Sequence, residues 1–211
     1  MRIIGGTAKG RRLVVPKGGA VRPTAGKVKE SLFNILPRDF SGLRVLDLFA
    51  GTGNVSIEAL SRGAEKAVLV DASARSAAAI RENMRRLGFG ARSQVWVLPV
   101  ARALRSLAQQ GETFDLIFVD PPYDRRLVGD TLKLIAQNNL LDPVGTAVAE
   151  HSRREEVKRL RRRCTDRLED AAAWALTALG MFVLLLSVLV GVRTGGEAAE
   201  RGRAHSGAEA G

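Results

Sequence analysis

From residue 43 onward the apolar positions alternate between two spacings. Arg44 to Phe49 is a short, almost continuous apolar run, as a strand buried on both faces requires. Asn54 to Arg62 has helical spacing and ends at Gly63. The alternation repeats. A strand over Ala67 to Val70 ends at Asp71, and a helix from Ser73 to Leu87 is closed by Gly88. A strand over Gln94 to Leu98 leads to a helix over Ala101 to Gln110. A strand over Phe114 to Val119, a helix over Leu127 to Gln137 and a strand over Gly145 to Glu150 complete the series. Strand and helix in strict alternation predict an α/β fold with a parallel sheet covered on both faces.

The two ends of the chain depart from this rhythm. Residues 1 to 26 are rich in Gly, Lys, Arg and Pro. They predict a strand at Arg2-Ile3-Ile4, a turn at Gly5-Gly6, a second strand around Leu13-Val14-Val15, and a loop. Gly26 to Leu36 has helical spacing, with Val28, Leu32, Phe33 and Leu36 on one face and Pro37 ending it. Near the other end, Ala171 to Val192 is a 22-residue run without a charge, preceded by the strongly basic stretch Lys158 to Leu168. Such a run is long enough for a bilayer-spanning helix with its arginine-rich flank on the cytoplasmic side; a buried core helix and a tail translated from an unrelated reading frame are the alternatives. The polar Gly- and Ala-rich residues 193–211 read as a disordered tail.

Charge sharpens the picture. The formal net charge is +11, and residues 1–38 hold nine lysines and arginines against one acid, Glu30. A basic face of this kind suits a polyanion. A single cysteine, Cys164, excludes an internal disulfide and a cysteine-based metal cluster, and His151 and His205 have no ligand spacing, so no metal site is expected. His151 reads as structural.

Two turns carry the candidate chemistry. The first is Val45-Leu46-Asp47-Leu48-Phe49-Ala50-Gly51-Thr52-Gly53, a strand running into a glycine turn that lets a ligand approach the backbone and the following helix N-terminus. Asp71, at the end of the next strand, stands where a ribose-binding acid sits in nucleotide-binding folds, and would serve equally as a helix N-cap. The second is Asp120-Pro121-Pro122-Tyr123 after the strand Phe114 to Val119. Two prolines stiffen the turn. A carboxylate and a carbonyl there can grip the N–H groups of an aryl amine, while Tyr123 stacks on the ring. Arg22-Pro23-Thr24, with Lys27, Lys29 and Glu30, is placed to fold over a cofactor pocket or touch phosphates.

The segments MRIIGGTAKGRRL, VRPTAGKVKESLFNIL, VLDLFAGTGNVSIEALSRGAEKAVLVD and FDLIFVDPPY together resemble the bacterial methyltransferase family that methylates N2 of a guanine in 16S rRNA, over about residues 1–152. The resemblance implies a Rossmann-like, S-adenosylmethionine-dependent methyltransferase sheet. It implies that Asp47, Phe49, Gly51 and Gly53 hold the cofactor with Asp71, Arg22 and Thr24, and that Asp120, Pro121 and Tyr123 clamp the flipped guanine. Arg2, Lys9, Arg11, Arg12 and Lys27 would contact 16S rRNA, or the assembling small subunit, in a monomeric cytoplasmic enzyme. Three departures stand out. The second-strand acid is Asp71 rather than Glu. Pro99-Val100 replaces a polar residue near the adenine. The family's last two strands are not evident after Glu156, where the apolar run stands instead. The expected organisation is therefore a basic segment (1–40), a methyltransferase core (41–157), a basic linker (158–170), an apolar and membrane-competent helix (171–192) and a tail (193–211). The alternatives are a catalytically impaired RNA-binding or membrane-attached remnant, and a DNA adenine or protein glutamine N-methyltransferase.

Overall fold

The computed structural model describes residues 1–15, 24–122, 127–152, 174–178 and 181–187. Five parallel strands form the body of one sheet: β1 (Arg44–Leu48), β2 (Lys66–Asp71), β3 (Ser93–Val97), β4 (Phe114–Val119) and β5 (Leu141–Ser152). They are joined by α2 (Asn54–Ser61), α3 (Ala74–Leu87), α4 (Val100–Gln109) and α5 (Leu127–Gln137), and α1 (Thr24–Ile35) precedes them. The alternating pattern read from the sequence is the observed order. β5 begins at Leu141, earlier than the spacing predicts, because an irregularity between Phe114 and Leu116 allows Leu141 to pair with Phe114 before Thr146 pairs with Leu116.

Helices cover both faces. Val45, Leu60, Ile80 and Met84 pack on one face together with Ile3 and Leu13 from the N-terminal segment and Leu32 and Phe33 of α1. Leu46, Leu48, Leu104, Leu107, Val128 and Leu132 pack on the other, so α4 and α5 lie opposite α2 and α3. Val45 and Leu46 feed opposite clusters, which explains why the strand is apolar on both faces apart from the buried Asp47.

The C-terminal expectation is corrected. The sheet has seven strands in the order β3-β2-β1-β4-β5-β7-β6. β6 (Trp174–Ala178) and β7 (Met181–Ser187) lie within the run that the sequence suggested would be an apolar helix. The family's last two strands are present, not missing. β7 pairs antiparallel with β5 from Thr146↔Ser187 to Ser152↔Met181, and β6 pairs antiparallel with β7. A central strand and a buried helix segment are both apolar throughout, so periodicity does not separate them. The discriminating signals are the glycine at position 180, which breaks the run into two strand-length pieces, and the closing pair Ala178↔Met181 with two residues between. Among the described residues no helix is long and apolar enough to cross a membrane. The expected linker (158–170) and tail (193–211) lie outside the described residues.

At the N-terminus the two expected strands reduce to one antiparallel bridge, Arg2↔Arg12, because the intervening residues fold onto α2 instead of extending the ladder. Glu58, fully buried in α2, draws this hairpin down. Its carboxylate accepts from the Ile4 N–H (2.9 Å) and the Gly5 N–H (2.7 Å), from Lys29 Nζ (3.0 Å) and from Arg62 Nε (3.1 Å). Ser61 completes the attachment: its Oγ donates to the Gly5 carbonyl (2.6 Å) and accepts from the Ala8 N–H (2.9 Å). Gly6 has φ +72°, and a Cβ there would stand 1.8 Å from the Ser61 carbonyl oxygen, so the second glycine of the Gly5-Gly6 pair is required by close approach. Lys29, which the sequence placed in an arm able to touch phosphates, is 4% exposed and bonded to Glu58, Asn54 and the Arg2 carbonyl. Its position three residues before Leu32 turns it inward on the packed side of α1.

Removing one member of a buried ion pair leaves the others uncompensated and typically costs about 3–5 kcal/mol. Glu58→Ala should therefore lower the Tm by roughly 10 °C in thermal denaturation, whereas Glu65→Ala, at an exposed position, should shift it by no more than about 2 °C.

Candidate active site

The site lies where the sheet order reverses, between β1 and β4. In open α/β sheets ligands occupy the crevice outside the carboxyl ends of the strands at this point. Leu48 is in register with Val70 of β2 and with Val119 of β4, so the residues that follow these strand ends emerge side by side. They are Phe49, Asp71 and Asp120.

The glycine turn after β1 is tightly determined. Phe49 adopts φ +64°, unusual for a residue with a side chain, and Gly51 and Gly53 follow at +56° and +72°. The two glycines serve different ends. A Cβ on Gly53 would come within 3.0 Å of Leu69 Cδ2, so Gly53 lets α2 approach the sheet. A Cβ on Gly51 would have only the Phe49 carbonyl oxygen near it, at 4.0 Å. That side of the turn is an open cradle, which fits close approach of a ligand to the backbone. Asp71 holds the turn from β2. Its Oδ2 accepts from the Gly51 N–H (2.8 Å) and its Oδ1 from the Ser73 N–H (2.7 Å). Asp71 thus shapes the loop rather than capping α3 itself, since Ser73 is the N-cap and accepts from the Ser76 N–H. A carboxylate has about four acceptor positions, so ribose hydroxyls can still be received there.

Asp47 lies beneath the turn, 2% exposed. Its Oδ2 accepts from Ser56 Oγ at 2.8 Å, tying β1 to the first turn of α2. Burial pushes its carboxyl up to about 7; hydrogen bonds from Ser56 oppose this, and the neighbouring Asp71 charge adds to it. Ser56 was not singled out in the sequence, although a serine two residues into a helix that follows a buried acid is its signal.

Asp120 follows Val119, its side chain exposed and its N–H donating to the Leu48 carbonyl (3.4 Å). Pro121 is buried and Pro122 exposed, so the turn is anchored on one side and open on the other. Tyr123 and Arg22 lie outside the described residues, and Thr24 begins α1 while Lys27 lies within its first turn. Arg2, Lys9, Arg11 and Arg12 are all exposed. The hairpin that carries them is tied to the glycine turn by Asn83 of α3, a residue the sequence alone did not single out. Its Oδ1 accepts from the Val14 N–H (2.7 Å), and its Nδ2 donates to the carbonyls of Val14 (3.0 Å) and Thr52 (3.4 Å). One buried amide therefore touches both the basic hairpin and the glycine turn. Its signal is a polar residue on the apolar face marked by Ile80 and Met84.

A family model described as Conserved hypothetical protein 95 matches residues 1–170. The chain belongs to this family. Its relatives include the Bacillus subtilis (strain 168) protein YlbH, 41% identical over 157 residues that span 74% of this chain and 85% of the relative. Ribosomal RNA small subunit methyltransferase D of Escherichia coli (strain K12) is 38% identical over 141 residues, 67% of this chain and 69% of the relative. Among solved structures, yhhF from Escherichia coli superposes with a TM-score of 0.73 at 30% identity, covering 89% of this chain and 97% of the other. The fold is the Rossmann-like methyltransferase sheet.

Because the Asp47 carboxyl titrates higher in the folded state than its ordinary value of 3.8, the folded chain holds a proton that the unfolded chain loses between about pH 4 and 7. Stability from this group is greatest below pH 4, falls across that window and is level above it. Asp47→Asn, which keeps an acceptor for Ser56, should flatten the fall. Urea denaturation at pH 5 and pH 8 would show the variant gaining on the wild type at the higher pH.

Proposed function

We infer that the protein transfers a methyl group from S-adenosylmethionine to the exocyclic N2 of a guanine in small-subunit rRNA, in the cytoplasm. The observation that carries this reading is the shared register of β1 and β4. It sets the Gly51 cradle beside the Asp120-Pro121-Pro122 turn, so a cofactor methyl and a base amine can meet at one strand edge. The rRNA reading is supported by relatives named for small-subunit rRNA methylation. The choice of guanine N2 rests on the resemblance of the RIIGG, RPT and DPPY segments.

S-adenosylmethionine supplies a methyl group made electrophilic by its sulfonium. Asp47, Gly51, Gly53 and Asp71 would hold it, with Phe49, Arg22 and Thr24 closing around it. The Asp120 carboxylate and the Pro121 carbonyl would accept the two N–H groups of the guanine amine. That arrangement directs its otherwise delocalised lone pair at the methyl carbon. Transfer of the methyl to that lone pair would leave the C–S electron pair on sulfur, and the Asp120 carboxylate would stabilise the positive charge on the amine until its proton passes to water. Tyr123 would stack on the base.

A catalytically impaired remnant was favoured by the apparent loss of two strands. With β7 paired to β5 and β6 paired to β7, that support is gone. Methylation of DNA adenine or protein glutamine has no support from the named relatives.

Asp120→Ala should lower kcat by at least about a hundredfold, the scale of losing one charge-stabilising group. Calorimetric binding of S-adenosylhomocysteine should change less than about twofold, since Asp120 is assigned to the base. Near-normal methylation of unmethylated small subunits by this variant would remove Asp120 from the clamp. Asp71→Ala should show the reverse, weakening S-adenosylhomocysteine binding by roughly tenfold or more.

A further inference from the structure

The N-terminal hairpin does not carry its charge alone. Residues 1–15 contain no acid. Arg2 and Arg12 stand opposite one another across the antiparallel bridge, and like charges so placed repel. Among the described residues neither has a carboxylate partner, and the same holds for Lys9 and Arg86. The hairpin is fastened against α3 by Asn83 at Val14 and by Arg11, whose Nη2 donates to the Arg86 carbonyl at 2.8 Å. The basic face therefore continues from the hairpin onto the C-terminal end of α3. That helix carries Arg75, Arg81, Arg85 and Arg86 against a single acid, Glu82.

Arginines at a helix C-terminus ordinarily complement the dipole and cap free carbonyls. Here the capping is already done. The Phe89 N–H donates to the Met84 carbonyl (2.9 Å), the Gly88 N–H to the Arg85 carbonyl (3.3 Å), and Arg11 takes the Arg86 carbonyl. Arg85 grips both oxygens of Glu82, at 3.0 and 2.8 Å, which neutralises the one nearby acid. The exposed Arg86 guanidinium is left without an ion pair among the described residues. The same helix donates from Asn83 to the Thr52 carbonyl of the glycine turn, about one helical turn before Arg86, so the hairpin and this helix together join the charge to the loop that shapes the site.

We propose that the C-terminal end of α3, centred on Arg86, is part of the rRNA-binding surface and, with Arg2 and Arg12, forms one phosphate-contacting track leading to the site. The proposal rests on the rRNA reading above and adds to it a surface that lies outside the N-terminal segment. Each phosphate contact contributes about 0.7–0.9 to the slope of log affinity against log salt. The experiment measures binding of the full chain to naked 16S rRNA and to unmethylated small subunits across a salt series. The proteins are wild type, Arg86→Ala, Arg12→Ala, the double variant, and Arg105→Ala. Arg105 is exposed on α4, on the opposite face of the sheet, and serves as the charge control.

The expected result is a slope reduced by about 0.7–0.9 for Arg86→Ala and for Arg12→Ala, and by about twice that for the double variant. Arg105→Ala should match the wild type, and all five should bind S-adenosylhomocysteine equally. An Arg86→Ala slope equal to that of Arg105→Ala, while Arg12→Ala loses its contact, would overturn the α3 assignment and leave the rRNA reading standing. Wild-type protein that binds S-adenosylhomocysteine but neither RNA particle would overturn both.

Discussion

The arrangement of the site depends on parallel register. Leu48 is paired with Val70 on one side and Val119 on the other, and this fixes where three chain segments leave the sheet. A one-residue slip would turn every side chain of a strand to the opposite face. Because Val45 belongs to one apolar cluster and Leu46 and Leu48 to the other, such a slip would expose or misplace buried residues on both faces. The packing of the core thereby sets the relative position of Phe49, Asp71 and Asp120 without any contact among those side chains being needed. A central strand buried on both faces gives stricter control than an edge strand would. β4 is interior because β1 and β5 flank it, and the pairing of β7 with β5 keeps β5 from being an edge strand.

A second constraint joins the N-terminal hairpin to this frame. Glu58 is a carboxylate without solvent, and it is tolerated because four donors surround it. The donors come from the hairpin backbone, α1 and α2 itself. Burial pulls the Lys29 ammonium below its ordinary value, and the adjoining Glu58 charge opposes this. The hairpin has little regular structure to hold it, a single bridge and a few turns. Its position is instead specified by Glu58 and Ser61 at one end and Asn83 at the other.

The core was legible in the sequence because its rules are local. Apolar periodicity, glycine closures after helices and the strand-to-turn transitions at Phe49, Asp71 and Asp120 all lie within short windows. The parts that were not legible depend on partners distant in the chain. Glu58 and Lys29 look like surface charges until a partner 29 residues away is brought against each. Asn83 looks like a solvated helix residue until Val14, 69 residues away, presents both backbone groups to it. The run from Ala171 to Val192 failed for a different reason: full burial removes the alternation that marks a strand. The two strands are told apart from a helix by their pairing with β5 and with each other, which lies outside any local window.

Charge is sorted within the molecule in a way that net charge conceals. The chain carries +11, yet three carboxylates, Asp47, Asp71 and Asp120, come from the carboxyl ends of adjacent central strands. Arg2, Arg12 and Arg86, which have no ion pair among the described residues, lie on the hairpin and the end of α3. A cationic sulfonium and a polyanion would make opposite demands on a site, and one undivided field could not satisfy both. Asp47 bears on this division. Burial and the nearby Asp71 charge raise its carboxyl to about 7. Of these acids Asp47 is buried under the turn, while Asp71 and Asp120 stand at the strand ends beside it. The cations that would draw in rRNA stand outside on elements tied to that same turn through Asn83.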